Sequence, residues 1–123
     1  MNNVTSQIIG AAIAIHKELG PGLLESVYQA CLLFELQRKG LAVEAEVPIP
    51  VVYQGVEIQK DGFRIDLLVE GLVIIELKSV EKVLPVHKKQ LLTYLKLAHK
   101  PLGLLINFNE VQLVDGITRI ANG

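Results

Sequence analysis

The apolar positions of this chain change period three times, and the changes outline a fold. Over residues 5–19, Ile8, Ile9, Ala12, Ile13 and Ile15 recur at helical spacing, with Asn3 or Thr5 placed to cap the start. Gly20-Pro21-Gly22 closes that helix, because proline cannot continue it and glycine suits a left-handed end. A second helix is predicted over residues 23–39, with Leu24, Val27, Cys31, Leu32, Phe34 and Leu36 as its apolar positions and Arg38-Lys39-Gly40 as its end. The chain then reads as strands. Residues 43–53 are rich in Val and Ile, but Pro48 and Pro50 withhold two ladder donors, which predicts a sheet edge or a bend. Gln54-Gly55 turns the chain into a strand over 56–59, and Lys60-Asp61-Gly62 reads as a second turn. A hairpin follows over 63–69 and 72–78, then a helix over 86–98, a wholly apolar strand over 102–107 and a last short strand over 117–120. The order ααββββαββ predicts one α/β (α+β) domain over residues 1–123, with helices packed on a mixed sheet.

Composition adds a partner. Apolar residues make up 50% of the chain, and the mean hydropathy of +0.41 is high for a small domain. A buried subunit interface would absorb the excess, so a homodimer or a higher homo-oligomer is expected. No apolar run is long enough to span a bilayer, and the start lacks the basic region of a secretory signal. The single Cys31 forms no internal disulfide and fits a reducing cytoplasm. The net charge of −1 counts against a strongly basic nucleic-acid surface. Lys82, His87, Lys88, Lys89, Lys96, His99 and Lys100 form a local basic cluster that reads first as a solvated helix face.

Candidate chemistry lies in the hairpin. Asp66 stands on one apolar strand, and Glu76 and Lys78 stand on the next. Strands this apolar carry buried charge only at a cost, unless the charges meet a partner. Two acids and a lysine within reach suit a divalent-metal site, and they also suit a structural ion-pair cluster at a sheet end. Glu76 and Lys78 share a face by their spacing. A two-residue Glu70-Gly71 loop would set Asp66 opposite Ile75, on the wrong face. A three-residue loop, either Val69-Glu70-Gly71 or Glu70-Gly71-Leu72, sets Asp66 beside Glu76, so a loop of odd length or a bulge is predicted.

Asp66 followed by Glu76-x-Lys78 resembles the PD-(D/E)xK nuclease superfamily. Gln90-Leu-Leu-Thr-Tyr94 on the next helix resembles the QxxxY motif of its RecB-like members. Gly22-Leu-Leu-Glu25-Ser-Val-Tyr28 is similar to the signature of the small GxxExxY proteins, and Leu104-Leu105-Ile106-Asn107-Phe108 also reads as that family. The resemblance covers nearly the whole chain and implies a restriction-endonuclease-like core. It implies that Asp66, Glu76 and the Leu77 carbonyl would ligate Mg²⁺ or Mn²⁺. Lys78 would position or deprotonate the attacking water, and Glu25 would reach the metal through a water or hold a second cation. Gln90 and Tyr94 would line the site from one helix face. The implied activity is hydrolysis of nucleic-acid phosphodiesters, with DNA ahead of RNA. A non-catalytic nucleic-acid- or protein-binding module, or an oligomeric accessory protein, would keep the same fold. The superfamily's proline before the aspartate is replaced here by Ile65.

Other residues carry less. Tyr28 reads as a packing residue near the site. His16, His87 and His99 lack metal-ligand spacing and are expected at surfaces or caps, and Cys31 reads as a buried, inert thiol. Arg64 could touch a phosphate or pair with an acid. No phosphate loop and no Ser/His/Asp or Cys/His arrangement is legible.

Overall fold

The computed structural model describes residues 1–123. Two helices come first, α1 over Asn2–Leu19 and α2 over Glu25–Arg38. Three strands follow, β1 over Val43–Tyr53, β2 over Val56–Val69 and β3 over Val73–Lys78. Helix α3 over Pro85–Ala98 then leads to β4 over Leu102–Asn107, and a 3₁₀ turn over Leu113–Gly116 leads to β5 over Ile117–Ala121. The five strands form one sheet in chain order, antiparallel except for the β3–β4 pair. That parallel pair needs a crossover, and α3 supplies it.

The sheet separates two apolar clusters. Ile8, Ala11, Ala12 and Ile15 of α1, with Tyr28, Leu32 and Leu36 of α2, cover Leu67, Val69, Ile75, Leu104 and Ile106 on one face. Leu91 and Leu95 of α3 cover Ile65, Leu68, Ile74 and Leu105 on the other. The β3 and β4 runs are apolar almost throughout because both of their faces are covered. Gly103 lets α3 approach closely: a Cβ there would lie 3.0 Å from the Leu91 side chain.

Four expectations are corrected. Residues 56–59 and 63–69 belong to one strand, so there is one strand fewer and no turn at Lys60-Asp61-Gly62. The register of β2 against β1 slips at that point, between the Ile49–Phe63 and Val51–Gln59 pairs. A Cβ on Gly62 would collide with the Val51 side chain, so the glycine serves a close strand approach at a bulge. Helix α1 starts at Asn2, and Thr5 lies inside it, bonding back to the Met1 carbonyl at 2.7 Å rather than capping the helix. Helix α2 buries only the narrow stripe Tyr28, Leu32 and Leu36, which leaves Leu24, Val27 and Phe34 exposed and Cys31 half-buried. His16 is buried, because its Nε2 meets the Glu110 carbonyl at 2.7 Å. The proline-bearing β1 does lie at the sheet edge, and His87 and His99 do sit at the two ends of α3.

Candidate active site

The site begins with a turn. Val69 pairs with Val73, so the hairpin loop is the three-residue Glu70-Gly71-Leu72, the second of the two odd-length forms. Glu70 and Gly71 both take positive φ, and the Leu72 amide donates to the Val69 carbonyl at 3.0 Å. Glutamate tolerates this backbone because it is held from two sides. Its amide donates to the Ala42 carbonyl at 2.7 Å, and its carboxylate accepts the Ala42 amide at 2.6 Å.

This register brings Asp66 to Glu76. The paired ladder of β2 and β3 ends at Leu67–Ile75, and beyond it the acids' side chains fill the gap. The Leu77 amide donates to Asp66 Oδ2 at 2.8 Å, and the Asp66 amide lies 3.4 Å from Glu76 Oε1. The alternation of β2 breaks at the same residue. Leu67 and Val69 face α1 and α2, whereas Ile65 and Phe63 belong to the α3 side. Asp66 therefore points into the notch between two diverging strands, where residues from both faces can reach it.

Both faces do contribute. Glu25 and Lys78 act electrostatically on Asp66, Lys78 acts on Glu76, and both acids act on the Tyr94 phenol. Burial raises the Asp66 pKa, and the Glu46 and Glu25 carboxylates raise it further against the pull of the Leu77 amide and Lys78. Burial and then the Asp66 carboxylate push Glu76 up to about 8. Burial also raises Tyr94, with Glu76 and Asp66 adding to it. Gln90, one turn earlier on α3, partly opposes the shift through a hydrogen bond. Phe63 stacks on Tyr94 with ring centroids 4.0 Å apart, which fixes the phenol against the base of β2.

The loop before α2 is fixed with equal care. The Tyr28 hydroxyl donates to the Gly20 carbonyl at 2.6 Å and accepts the Leu23 amide at 3.1 Å, while its ring stacks on Phe108. Ser79 Oγ, next to Lys78, donates to the Leu23 carbonyl at 2.6 Å. Tyr28 is thus a packing and anchoring residue that sets where Glu25 enters the site. Arg64 is exposed and reaches the Glu46 carbonyl at 3.4 Å.

Two contributors are not among the residues the sequence singles out. Glu46 lies on β1 at the rung opposite Asp66, between the Ala45–Leu67 and Val47–Ile65 pairs, with φ of 53°. Its carboxylate accepts Gln29 Nε2 at 2.9 Å. The bulges in β2 hide this register from any count along the sequence. Asn107, fully buried at the end of β4, brackets Val80: it accepts the Val80 amide at 3.1 Å and donates to the Val80 carbonyl at 2.9 Å. It pairs in register with Lys78 and fixes the chain just beyond that lysine. A polar residue ending a wholly apolar strand was the available signal.

The donor set suits a hard cation. Asp66 and Glu76 are desolvated carboxyl groups that repel each other when ionised, a repulsion that a divalent ion would relieve. No group of three or more His, Cys, Asp or Glu side chains is arranged to hold a metal by itself.

The fold and the notch define the class. A family model of the PD-(D/E)XK nuclease superfamily matches residues 2–120, and the chain belongs to that superfamily. Its members are generally dependent on divalent metals. No curated protein and no solved structure matches the chain. No helix is long and apolar enough to cross a membrane.

Proposed function

We propose that the chain is a Mg²⁺-dependent nuclease that hydrolyses phosphodiester bonds of nucleic acid, DNA ahead of RNA, with water as the nucleophile. One observation carries the reading: Asp66, Glu76 and Lys78 converge in a notch that Glu25 and Tyr94 reach from opposite faces of the sheet. Asp66, Glu76 and the Leu77 carbonyl would hold the ion, which when bound supplies Lewis acidity and an activated water. Lys78 would orient that water, taking its proton as a neutral amine and, once protonated, offsetting charge on the phosphate oxygens. Gln90 and Tyr94 steady the phosphate from α3, and Glu25 orders water on the α2 side. The likeness of Gly22, Glu25 and Tyr28 to the GxxExxY signature fits the same assignment, because Tyr28 anchors the loop that aims Glu25. A homodimer belongs to this reading, since Val52, Tyr53, Val56 and Ile58 leave an apolar tip on the β1–β2 arm more than half exposed.

The test is a cleavage assay on single-stranded, duplex and branched DNA with Mg²⁺ or Mn²⁺, alongside Glu76→Ala and Lys78→Ala. Metal-dependent cleavage lost in both variants supports the reading. Cleavage unchanged in both would remove the mechanism. Mn²⁺ binding without cleavage of any substrate would favour a non-catalytic binding module.

A further inference from the structure

Beside the acid notch lies a cleft of about 570 Å³, of which the mechanism uses only Glu25. The start of α2 forms one wall, through Leu24, Glu25 and Ser26. Ser79 and Asn109, which follow β3 and β4, form the other. Those strands are the parallel pair of the sheet, and in open sheets the space outside the carboxyl ends of parallel strands is where ligands bind.

The walls are built rather than loose. Ser79 is tied to the Leu23 carbonyl, and Tyr28 holds Gly20 and Leu23 from beneath. The Asn109 amide donates to the buried Asn107 side chain at 3.2 Å. The cleft also joins the notch directly: Glu25 lines it and acts on Asp66, and Ser79 follows Lys78.

Its chemistry selects the occupant. No lysine or arginine lines the cleft, and its one charged group is the Glu25 carboxylate, so a phosphate is a poor fit. Two serines and an asparagine offer hydrogen bonds, and exposed Leu23 and Leu24 offer an apolar face. A neutral group with a flat apolar face and several polar edges matches this wall. Resting on the nuclease reading, we propose that the cleft takes the sugar and base of an unpaired nucleotide whose phosphate a divalent ion at Asp66 and Glu76 would hold. A base engaged in a duplex cannot enter it, so the substrate class is single-stranded or frayed nucleic acid.

The test uses the full chain, labelled with ¹⁵N and titrated in the presence of Mg²⁺ with thymidine 5′-monophosphate and, separately, with inorganic phosphate. Shifts of the Ser26, Ser79 and Asn109 amides with the nucleotide and not with phosphate are expected. Equal shifts with phosphate, or none with either ligand, would overturn the proposal. Ser26→Trp and Asn109→Trp fill the cleft and should weaken binding of a single-stranded oligonucleotide by about tenfold or more, with Mn²⁺ affinity unchanged. Wild-type protein that binds a blunt duplex as tightly as a single strand would also overturn it. Metal-dependent cleavage without the amide shifts would sink the cleft and spare the nuclease reading. Amide shifts in a protein that binds no metal would do the reverse.

Discussion

Glu76→Gln separates the electrostatic cost of the notch from its geometry. The amide keeps the side chain's size and an oxygen that can face the Asp66 amide, now 3.4 Å from Glu76 Oε1. In the metal-free protein, burial and then the Asp66 carboxylate push Glu76 from its ordinary 4.5 to about 8. Between those values the folded chain holds a proton that the unfolded chain has released. Stability is therefore highest on the acid side of the window and falls as pH rises through it. The slope is about 1.4 kcal/mol per pH unit. Moving from about pH 6 to about pH 8 should then cost the wild type about 2–3 kcal/mol, with the loss levelling off above that. The Glu76→Gln protein has no titrating group at that position and should lose this part of the pH dependence. Urea denaturation in EDTA across this pH range measures the difference. Parallel pH profiles for the two proteins would refute the reasoning. Excess Mn²⁺ should restore the wild type most at the alkaline end and leave the variant unmoved.

Mn²⁺ affinity of the wild type should tighten by up to about tenfold per pH unit as Glu76 gives up its proton, an effect that calorimetry between about pH 6 and pH 8 reads directly. Lys78→Met should leave Mn²⁺ binding intact and slow cleavage by about 10²–10⁴-fold; a fall in metal affinity instead would make the lysine a structural partner of the acids. Tyr28→Phe strands the Gly20 carbonyl and the Leu23 amide. It should cost about 1–3 kcal/mol in denaturation, with faster exchange of the Leu23 amide as its local signature. Gly62→Ala forces a Cβ into Val51 and should destabilise by about 1–3 kcal/mol, so an unchanged midpoint would refute the close approach inferred there.

The sequence made the fold legible wherever a period ran uninterrupted. Helix α3, the apolar β4 and the central hairpin follow from spacing alone, and the proline-marked edge strand follows from its missing donors. It misled where one residue type serves two purposes. Lys60-Asp61-Gly62 has the composition of a turn, but Gly62 is spent on strand contact, so the chain runs straight through. Helix α2 offered six apolar positions and buries mainly the spacing-of-four stripe Tyr28, Leu32 and Leu36. The site was legible as a conditional: the hairpin residues could meet only through a loop of odd length. Glu46 was out of reach because its register depends on bulges in β2, whereas Asn107 stands out only as the polar end of an apolar strand.

Leu72 has no role in any chemistry described for this chain, yet it is the residue that makes the loop odd. Were Leu72 drawn into the ladder opposite Val69, the chain would close on a two-residue Glu70-Gly71 turn, and Asp66 would fall opposite Ile75, turned away from Glu76. Asp66, Glu76, Lys78, Glu25, Gln90 and Tyr94 would all still be present, and a motif search would find every one of them. A protein of this design is therefore silenced by a slip of one residue in strand pairing, with no acid lost. Among chains that share its motif, which residues pair across the turn is a better guide to a working notch than the presence of either acid.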